Sequence, residues 1–483
     1  MNPWWSSRLG FDADASLEAF ADSPLQLDRS ADVRLRFDAD AIYILRGPRQ
    51  AGKTTLLKQA LQNAAASGLP ATDLLYLSCD RQSADGLQET LAGWLDLTAT
   101  GSRRRVVVLD EASDVPEWTT VLRALWNRGL LRKVTVVASG SHALDLRRAT
   151  ETLPGRRGEG RRAKGAPPLD QVLLPASFRA YALARLSGHS KARDLAAVPT
   201  FSASELATSP KVARAAGQLL PFARDLHEAF DDYLLCGGFP IPAADLHRKG
   251  AVAPEVYRLH AGAVGTDLVR FGLSDRSAAQ VARRIVEALS NPVSWSTLVA
   301  GTDIASHVTG KSYAEAFAAA FLAYEVPPID LSKKEPVWRR ERKLYPADPF
   351  ILHSLRAWGR SDADPFGASQ DFARDPASFG LLLEVAVASA LARDSPPALF
   401  AGLDTARRLA YLRTRGGREV DFVVRGTSGL TPIEVKSRAE AKVDRNGMRL
   451  VGPGIIVTRS DTRLAERPRL LSAPTFLFLL GPG

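Results

Sequence analysis

Cysteine is nearly absent from this chain of 483 residues: Cys79 and Cys236 are the only two. So few exclude a disulfide framework and a cysteine-built zinc site. The seven histidines are scattered without metal-ligand spacing, which argues against a histidine metal centre. No G-x-S-x-G elbow occurs, so hydrolysis by a nucleophilic serine is not indicated. The stretch SGSHALDL offers Ser, His and Asp145, but it reads as the turn that follows a strand. The start, MNPWWSSRLG, has no apolar signal core, and no uninterrupted apolar run reaches a membrane span. The expectation is a cytoplasmic protein with no membrane partner. No internal repeat is evident.

Positive charge is what the chain has in excess. A net charge of +10 and a pI near 9.7 suggest a polyanionic partner such as nucleic acid. An arginine-rich composition also occurs in proteins that touch no DNA. At 45% hydrophobic and 24% charged residues the composition is that of an ordinary globular protein. The length is too great for one core and suggests about three or four domains.

The chain is organised around Ile42 to Leu57, IYILRGPRQAGKTTLL. Gly47, Gly52, Lys53 and Thr54 fall in the spacing G-x-x-x-x-G-K-[ST], between an apolar run and a helical one. That context makes the string a phosphate-binding loop. Glycines let the backbone turn and bring its N–H groups close to an anion, and a helix N-terminus adds partial positive charge. Gly47, Pro48, Arg49, Gln50, Ala51, Gly52, Lys53, Thr54 and Thr55 form the expected cradle. Lys53 is expected to reach the β- and γ-phosphates of ATP, and the Thr54 hydroxyl to sit on Mg²⁺.

From Ala41 to about Leu146 short β-rich runs alternate with helical ones. Strands are predicted at Tyr43–Arg46, Leu74–Ser78, Val106–Leu109 and Val134–Ser139, with helices around 54–66, 86–95 and 117–128. Such alternation means a parallel sheet with helices on both faces. Arg105 to Glu111, RVVVLDE, is an apolar strand ending in two acids. Asp110 can order the water shell of Mg²⁺, and Glu111 can polarise an attacking water. Ser139 and Ser141 end the next strand, where a hydroxyl can touch the γ-phosphate or the water, or cap the following helix. Asp80 reads as a cap. Residues 151–168, rich in Gly, Pro and Arg, read as a long exposed loop. Arg156 or Arg157 there could supply charge to the γ-phosphate, within the chain or from a second copy. A solvated basic loop, or nucleic-acid contact by Arg161, Arg162 and Lys164, are the alternatives.

GPRQAGKTT, VVVLDE, SGSHALDL and LPGR together resemble the AAA+-like ATPases related to STAND NTPases, over about residues 1–275. The resemblance implies a nucleotide-binding α/β domain followed by a helical lid. LLPASFRAY (173–181) is similar to the family's PLSF-x-E element with Ala in place of the acid. YLLCGGFP (233–240) is similar to its Y-x-x-x-GG[FY]P turn. Both are expected to connect ATPase and lid.

AAQVARRIVEALS, SWSTLVAG and KSYAEAFAAAFLAY fit a helix-turn-helix, the third run being the recognition helix. The basic stretch SKKEPVWRRERKLYPAD that follows fits a wing along a phosphate backbone. The third helix is poor in Arg, Asn and Gln, so a purely structural winged helix is an equal reading.

Residues 379–436 carry a second constellation. FGLLLEVAVASAL is an apolar helix with one acid, Glu384, on a face where an unpaired charge is costly. REVDFVVRG places Asp421 in a strand. TPIEVKSRA places Glu434 and Lys436 on one face of the next. Glu384, Asp421 and Glu434 could hold one or two Mg²⁺ ions with Lys436 beside them. The pattern Glu…Asp-x₁₂-Glu-x-Lys resembles the PD-(D/E)xK restriction-endonuclease-like fold, and more closely the nuclease-like domain fused to these ATPases. KLYPADPF (343–350) belongs to the same resemblance. A salt-bridged Glu/Lys pair on a sheet edge is the alternative.

The sequence therefore predicts a multidomain α/β protein. Its expected parts are a P-loop AAA+-like parallel sheet (1–185), a helical lid (186–275), a winged helix-turn-helix (276–345) and a restriction-endonuclease-like α/β domain (346–483). The expected function is ATP hydrolysis that controls a DNA-binding, nuclease-like end. The alternative is a nucleotide-gated DNA- or protein-binding scaffold without turnover and with an inactive nuclease fold. Expected partners are nucleotide with Mg²⁺, double-stranded DNA and a second copy of the chain.

Overall fold

The computed structural model describes residues 2–6, 8–99, 103–141, 153, 165–270, 273–393, 408–414, 416–426, 429–437 and 445–481. Two compact units divide at Leu174/Pro175. In the first, the elements are α1 (Ala15–Ala21), β1 (Ala41–Arg46), α2 (Lys53–Ala66), β2 (Leu74–Ser78), α3 (Ala84–Leu97), β3 (Arg105–Asp110), α4 (Trp118–Asn127), β4 (Val134–Gly140) and β5 (Asp170–Val172). The strands form one parallel sheet in the order β2-β3-β4-β1-β5.

Alternation along each strand builds two cores. Ile42, Ile44, Val107, Leu109, Val134 and Val136 pack under α3 and α4. Tyr43, Leu45, Val106, Val108 and Val137 pack under α2. Each large apolar side chain so buried contributes roughly 1.5–3 kcal/mol. The N-terminal residues close the second core. Trp4 stacks on Phe11 with centroids 4.5 Å apart, and the indole N–H groups of Trp4 and Trp5 both donate to the Leu74 carbonyl.

The second unit is helical at first. The helix Phe178–Arg185 packs on Ala223–Cys236 through Phe178, Tyr181, Phe230 and Tyr233. Three helices, Asp275–Glu287, Trp295–Val299 and His307–Ala319, precede a two-stranded antiparallel ribbon, β6 (Ala323–Val326) with β9 (Lys343–Pro346). Inside its loop lies a smaller ribbon, β7 (Ile329–Asp330) with β8 (Glu335–Pro336). The third helix stops at Ala319, short of the predicted Tyr324, because Phe321 turns left-handed (φ 58°) and the chain enters β6.

The remaining strands are β10 (Leu409–Arg413), β11 (Glu419–Gly426), β12 (Gly429–Lys436), β13 (Ile455–Thr458) and β14 (Arg469–Ser472). They form a sheet in that order, antiparallel from β10 to β12 and parallel from β12 to β14. The helix Pro376–Arg393 packs on β9 and β12. Among the described residues it is the one helix long and apolar enough to cross a membrane by length and composition, and most of it is buried inside this unit. The sequence had offered no such run.

PASF, GGFP and PADPF, far apart in sequence, meet around the fully buried Asp348. Asp348 accepts from the N–H groups of Phe350 (2.9 Å) and Gly238 (3.1 Å), and Arg393 lies 3.6 Å away. Ala176 N–H donates to Gly238 O at 2.7 Å, and the Tyr233 hydroxyl donates to Ala176 O. A Cβ at Gly238 would lie 2.0 Å from Ala176 O, so glycine is required by close approach. All of these residues belong to the second unit, so this knot organises that unit from within.

Candidate functional site

Strand order brings the phosphate loop to the predicted acids. β1 and β3 both pair with β4, so the loop after β1, Asp110 at the end of β3 and Ser139 near the end of β4 share one sheet edge. The loop turns through left-handed Gln50 (φ 63°) and Gly52 (φ 92°) into α2. At Gly47 a side chain has no room: a Cβ would lie 2.1 Å from the Leu173 carbonyl oxygen.

Lys53 is buried at 4% exposure, yet its ammonium is fully used. It donates to the Gly47 and Pro48 carbonyls at 3.0 Å each and lies 3.4 Å from Glu111 Oε1. These contacts curl the side chain back over the loop. Thr54 donates its hydroxyl proton to Asp110 Oδ2 at 2.6 Å, which leaves its lone pairs free for a cation. Ser139, fully buried within β4, donates to Asp110 Oδ1. Its hydroxyl also accepts from the Glu111 N–H at 3.2 Å, so Ser139 is a carboxylate holder and not a helix cap. Glu111 itself is left-handed (φ 53°) and accepts from the Ser141 N–H at 3.0 Å. Its side chain thus bridges Lys53 and the end of β4. The buried Ser141 hydroxyl has no hydrogen-bond partner among the described residues.

This donor set fits a nucleotide with its magnesium. Lys53 supplies the cation, the glycine-bent loop the space, Thr54 the lone pairs and Asp110 the anion. Bound there, Mg²⁺ would neutralise phosphate charge. Glu111, tied at one end to Lys53, is the carboxylate available to a water. Asp80 is not a cap: Ser83 caps α3, while Asp80 accepts from Ser78. Arg156, Arg157, Arg161, Arg162, Lys164 and Asp145 lie outside the described residues.

Three segments of the chain match family models. Residues 39–181 match the family model described as AAA domain. This segment is similar to an AAA-type P-loop domain. Residues 227–362 and 379–474 match two models described only as domains of unknown function (DUF8612 and DUF4143). Among solved structures, the Aeropyrum pernix Orc1 protein in complex with DNA is 13% identical, covering 74% of this chain and 93% of that one, at a TM-score of 0.27. The Thermotoga maritima RuvB Holliday junction branch migration motor is 15% identical, covering 59% and 82%, at 0.25. C. elegans PCH-2 is 14% identical, covering 52% and 65%, at 0.24. At those scores the likeness carries no weight beyond the family match. No curated protein matches the chain.

In the second unit the four predicted residues converge, together with some the sequence did not single out. Glu434 and Lys436 pair at 2.9 Å on β12, and Lys436 lies 3.8 Å from Asp421 of β11. Backbone N–H groups donate to side-chain carboxylates across the strands here: Val435 N–H to Asp421 Oδ2 at 2.9 Å and Asp421 N–H to Glu434 Oε2 at 3.3 Å. Glu384, buried on its helix, accepts from the Ser290 and Tyr345 hydroxyls. Between them sits Lys343, 1% exposed, with Glu419 at 2.8 Å and Glu384 and Asp421 at 3.9 Å each.

Lys343 was read from sequence as part of the exposed basic stretch, and that reading is corrected. Lys333, Lys334, Arg339 and Arg340 are exposed, but Arg342 and Lys343 are buried. Arg342 stacks on Trp295 at 4.1 Å. Period-two alternation along β9, which puts Lys343 and Tyr345 on one face, was the available signal.

Burial, then the Asp421 charge, pushes the Glu434 carboxyl up to about 7, against the pull of Lys436. The same two causes raise Glu384, against Lys343. Burial works against the Lys343 ammonium, but Glu384, Asp421 and Glu419 outweigh it and raise its pKa. Among the described residues no three His, Cys, Asp or Glu side chains gather closely enough to hold a metal. The ammonium groups of Lys343 and Lys436 stand between the acids.

Proposed function

We propose that the chain is an ATP-hydrolysing AAA-type switch whose nucleotide state controls a DNA-binding, nuclease-like region. The observation that carries the reading is the meeting of Lys53, Thr54, Asp110, Ser139 and Glu111 at one sheet edge. Lys53 and the loop hold the phosphates, Thr54 and Asp110 the magnesium, and Glu111 takes a proton from the attacking water. Ser141 and Arg156 are further candidates for contact with the γ-phosphate. Residues 186–275 act as the lid, 276–345 as the winged element and 346–483 as the nuclease-like domain. Exposed Lys333, Lys334, Arg339 and Arg340 beside half-exposed Trp338 suit a phosphate backbone better than base edges.

The test is ATP turnover of the pure protein with and without duplex DNA over a salt series. Stimulation that fades as salt rises supports coupling. Turnover indifferent to DNA at every salt concentration contradicts it.

One observation favours a second reading, a scaffold with an inactive nuclease fold. Lys343 reaches three carboxylates from the place a cation would take between them. Incubation of a labelled duplex with Mg²⁺ separates the two readings. Cleavage abolished by Asp421→Ala and by Lys436→Ala supports a nuclease, and an intact duplex supports the scaffold.

A further inference from the structure

We propose that Tyr76, at the centre of edge strand β2, is a positioning residue for the magnesium-side carboxylate Asp110. The inference rests on the phosphate-loop reading and deepens it.

Asp110 has two oxygens and three hydroxyl donors. Ser139 takes Oδ1, while Thr54 (2.6 Å) and Tyr76 (2.8 Å) share Oδ2. Two of these donors lie on elements that ligand binding involves or borders: Thr54 is in the first turn of α2, directly after the loop, and Ser139 is two residues from Ser141. Tyr76 comes from the far side. Its phenol is a rigid lever with two side-chain torsions, so its hydroxyl fixes Oδ2 in space whether or not the loop is occupied. Thr54 can then turn its lone pairs to a cation without releasing the carboxylate.

The lever is itself braced. Its backbone N–H donates to Asn2 Oδ1 at 2.8 Å. The Lys58 ammonium of α2 sits 4.7 Å over its ring, a cation–π contact. Lys58 is in turn held by Asp14 at 2.8 Å and Ser16 at 2.9 Å. Asp14 caps α1 through the N–H groups of Ser16 and Leu17. A continuous set of contacts therefore runs from the start of α1 through Lys58 and Tyr76 to Asp110. No sequence motif marks it, because its members come from four separate segments.

Tyr76→Phe removes the hydroxyl and keeps the ring under Lys58. Residues that orient a metal-side ligand are worth about 10–100-fold in metal affinity. The experiment measures binding of a fluorescent ATP analogue to the full chain in EDTA and across a Mg²⁺ titration. For Tyr76→Phe the half-saturating Mg²⁺ concentration rises about tenfold. Lys58→Met shifts it in the same direction by less, since the phenol then loses only its brace. A melting temperature for Tyr76→Phe close to wild type assigns the shift to the hydroxyl and not to lost folding. A Tyr76→Phe titration that overlays the wild type overturns the inference while leaving the phosphate loop intact. Wild-type binding that is absent, or that ignores Mg²⁺, overturns the phosphate-loop reading itself.

Discussion

Replacing Lys343 with methionine probes the acid–lysine cluster of the second unit. The side chain is 1% exposed and its ammonium lies 2.8 Å from Glu419 and 3.9 Å from both Glu384 and Asp421. Methionine keeps most of the volume and removes the charge. Three acids are then left facing one another, with Lys436 3.8 Å from Asp421 and the half-exposed Arg413 3.9 Å from Glu419 as the remaining cations. Breaking a buried ion pair by removing one partner costs about 3–5 kcal/mol, because the remaining charge is uncompensated. At about 2 °C per kcal/mol for a unit of this size, the melting temperature falls by about 6–10 °C. The pH dependence gives a second handle. The folded pKa of Lys343 is raised, so its contribution is fully present below the ordinary lysine value and is lost only at strongly basic pH. Between pH 5.5 and 7.5 the wild type therefore keeps that contribution whole. In Lys343→Met the Glu384 carboxyl, already raised by burial and by Asp421, loses the ammonium that pulls it down and rises further, so the deficit is largest at pH 7.5 and shrinks at pH 5.5 as Glu384 takes up a proton. Thermal unfolding at both pH values is the assay. A deficit under about 1 kcal/mol, or one equal at both pH values, would refute the view that Lys343 neutralises this cluster.

Other consequences follow from single contacts. Gly47→Ala drives a methyl to 2.1 Å from the Leu173 carbonyl oxygen, so the loop or β5 must move, and ATP affinity falls at least about tenfold in a binding titration. Unchanged affinity would mean that the loop start is not clamped there. Glu434, raised from 4.5 to about 7, destabilises the fold as pH rises through that window. At about 1.4 kcal/mol per pKa unit the loss is on the order of 3 kcal/mol above pH 7. Denaturant midpoints from pH 5 to 8 should fall for the wild type and fall less steeply for Glu434→Gln, in which Glu384 still carries a raised carboxyl, and parallel slopes would contradict the assignment.

The first unit was largely legible in the sequence, because its signals are local. β2 matches the predicted strand residue for residue, and the observed β1, β3 and β4 extend one or two residues beyond the predicted strands at one or both ends. An apolar strand followed by glycines, lysine and threonine has few foldings, and Asp110 at a strand end can face the loop only if its strand lies close by. Tyr76 and Lys58 escaped notice because an aromatic on a strand and a lysine on a helix carry no motif. In the second unit, Glu384, Asp421, Glu434 and Lys436 were visible as charges out of place in apolar runs. Lys343 was hidden inside a basic stretch whose neighbours are solvated, and only the pairing of β9 with β6 separates it from them. The Asp348 knot, likewise, joins three segments whose meeting depends on tertiary packing alone.

The most direct test of the central claim compares Lys53→Ala and Glu111→Gln with the wild type for both ATP binding and phosphate release. Lys53→Ala should lose binding, since in the proposed reading the ammonium now held by Gly47 O, Pro48 O and Glu111 would meet the phosphates. Glu111→Gln should bind ATP and release phosphate about 100-fold more slowly or worse, as loss of a general base requires. Wild-type turnover in Glu111→Gln, or wild-type affinity in Lys53→Ala, would contradict the account.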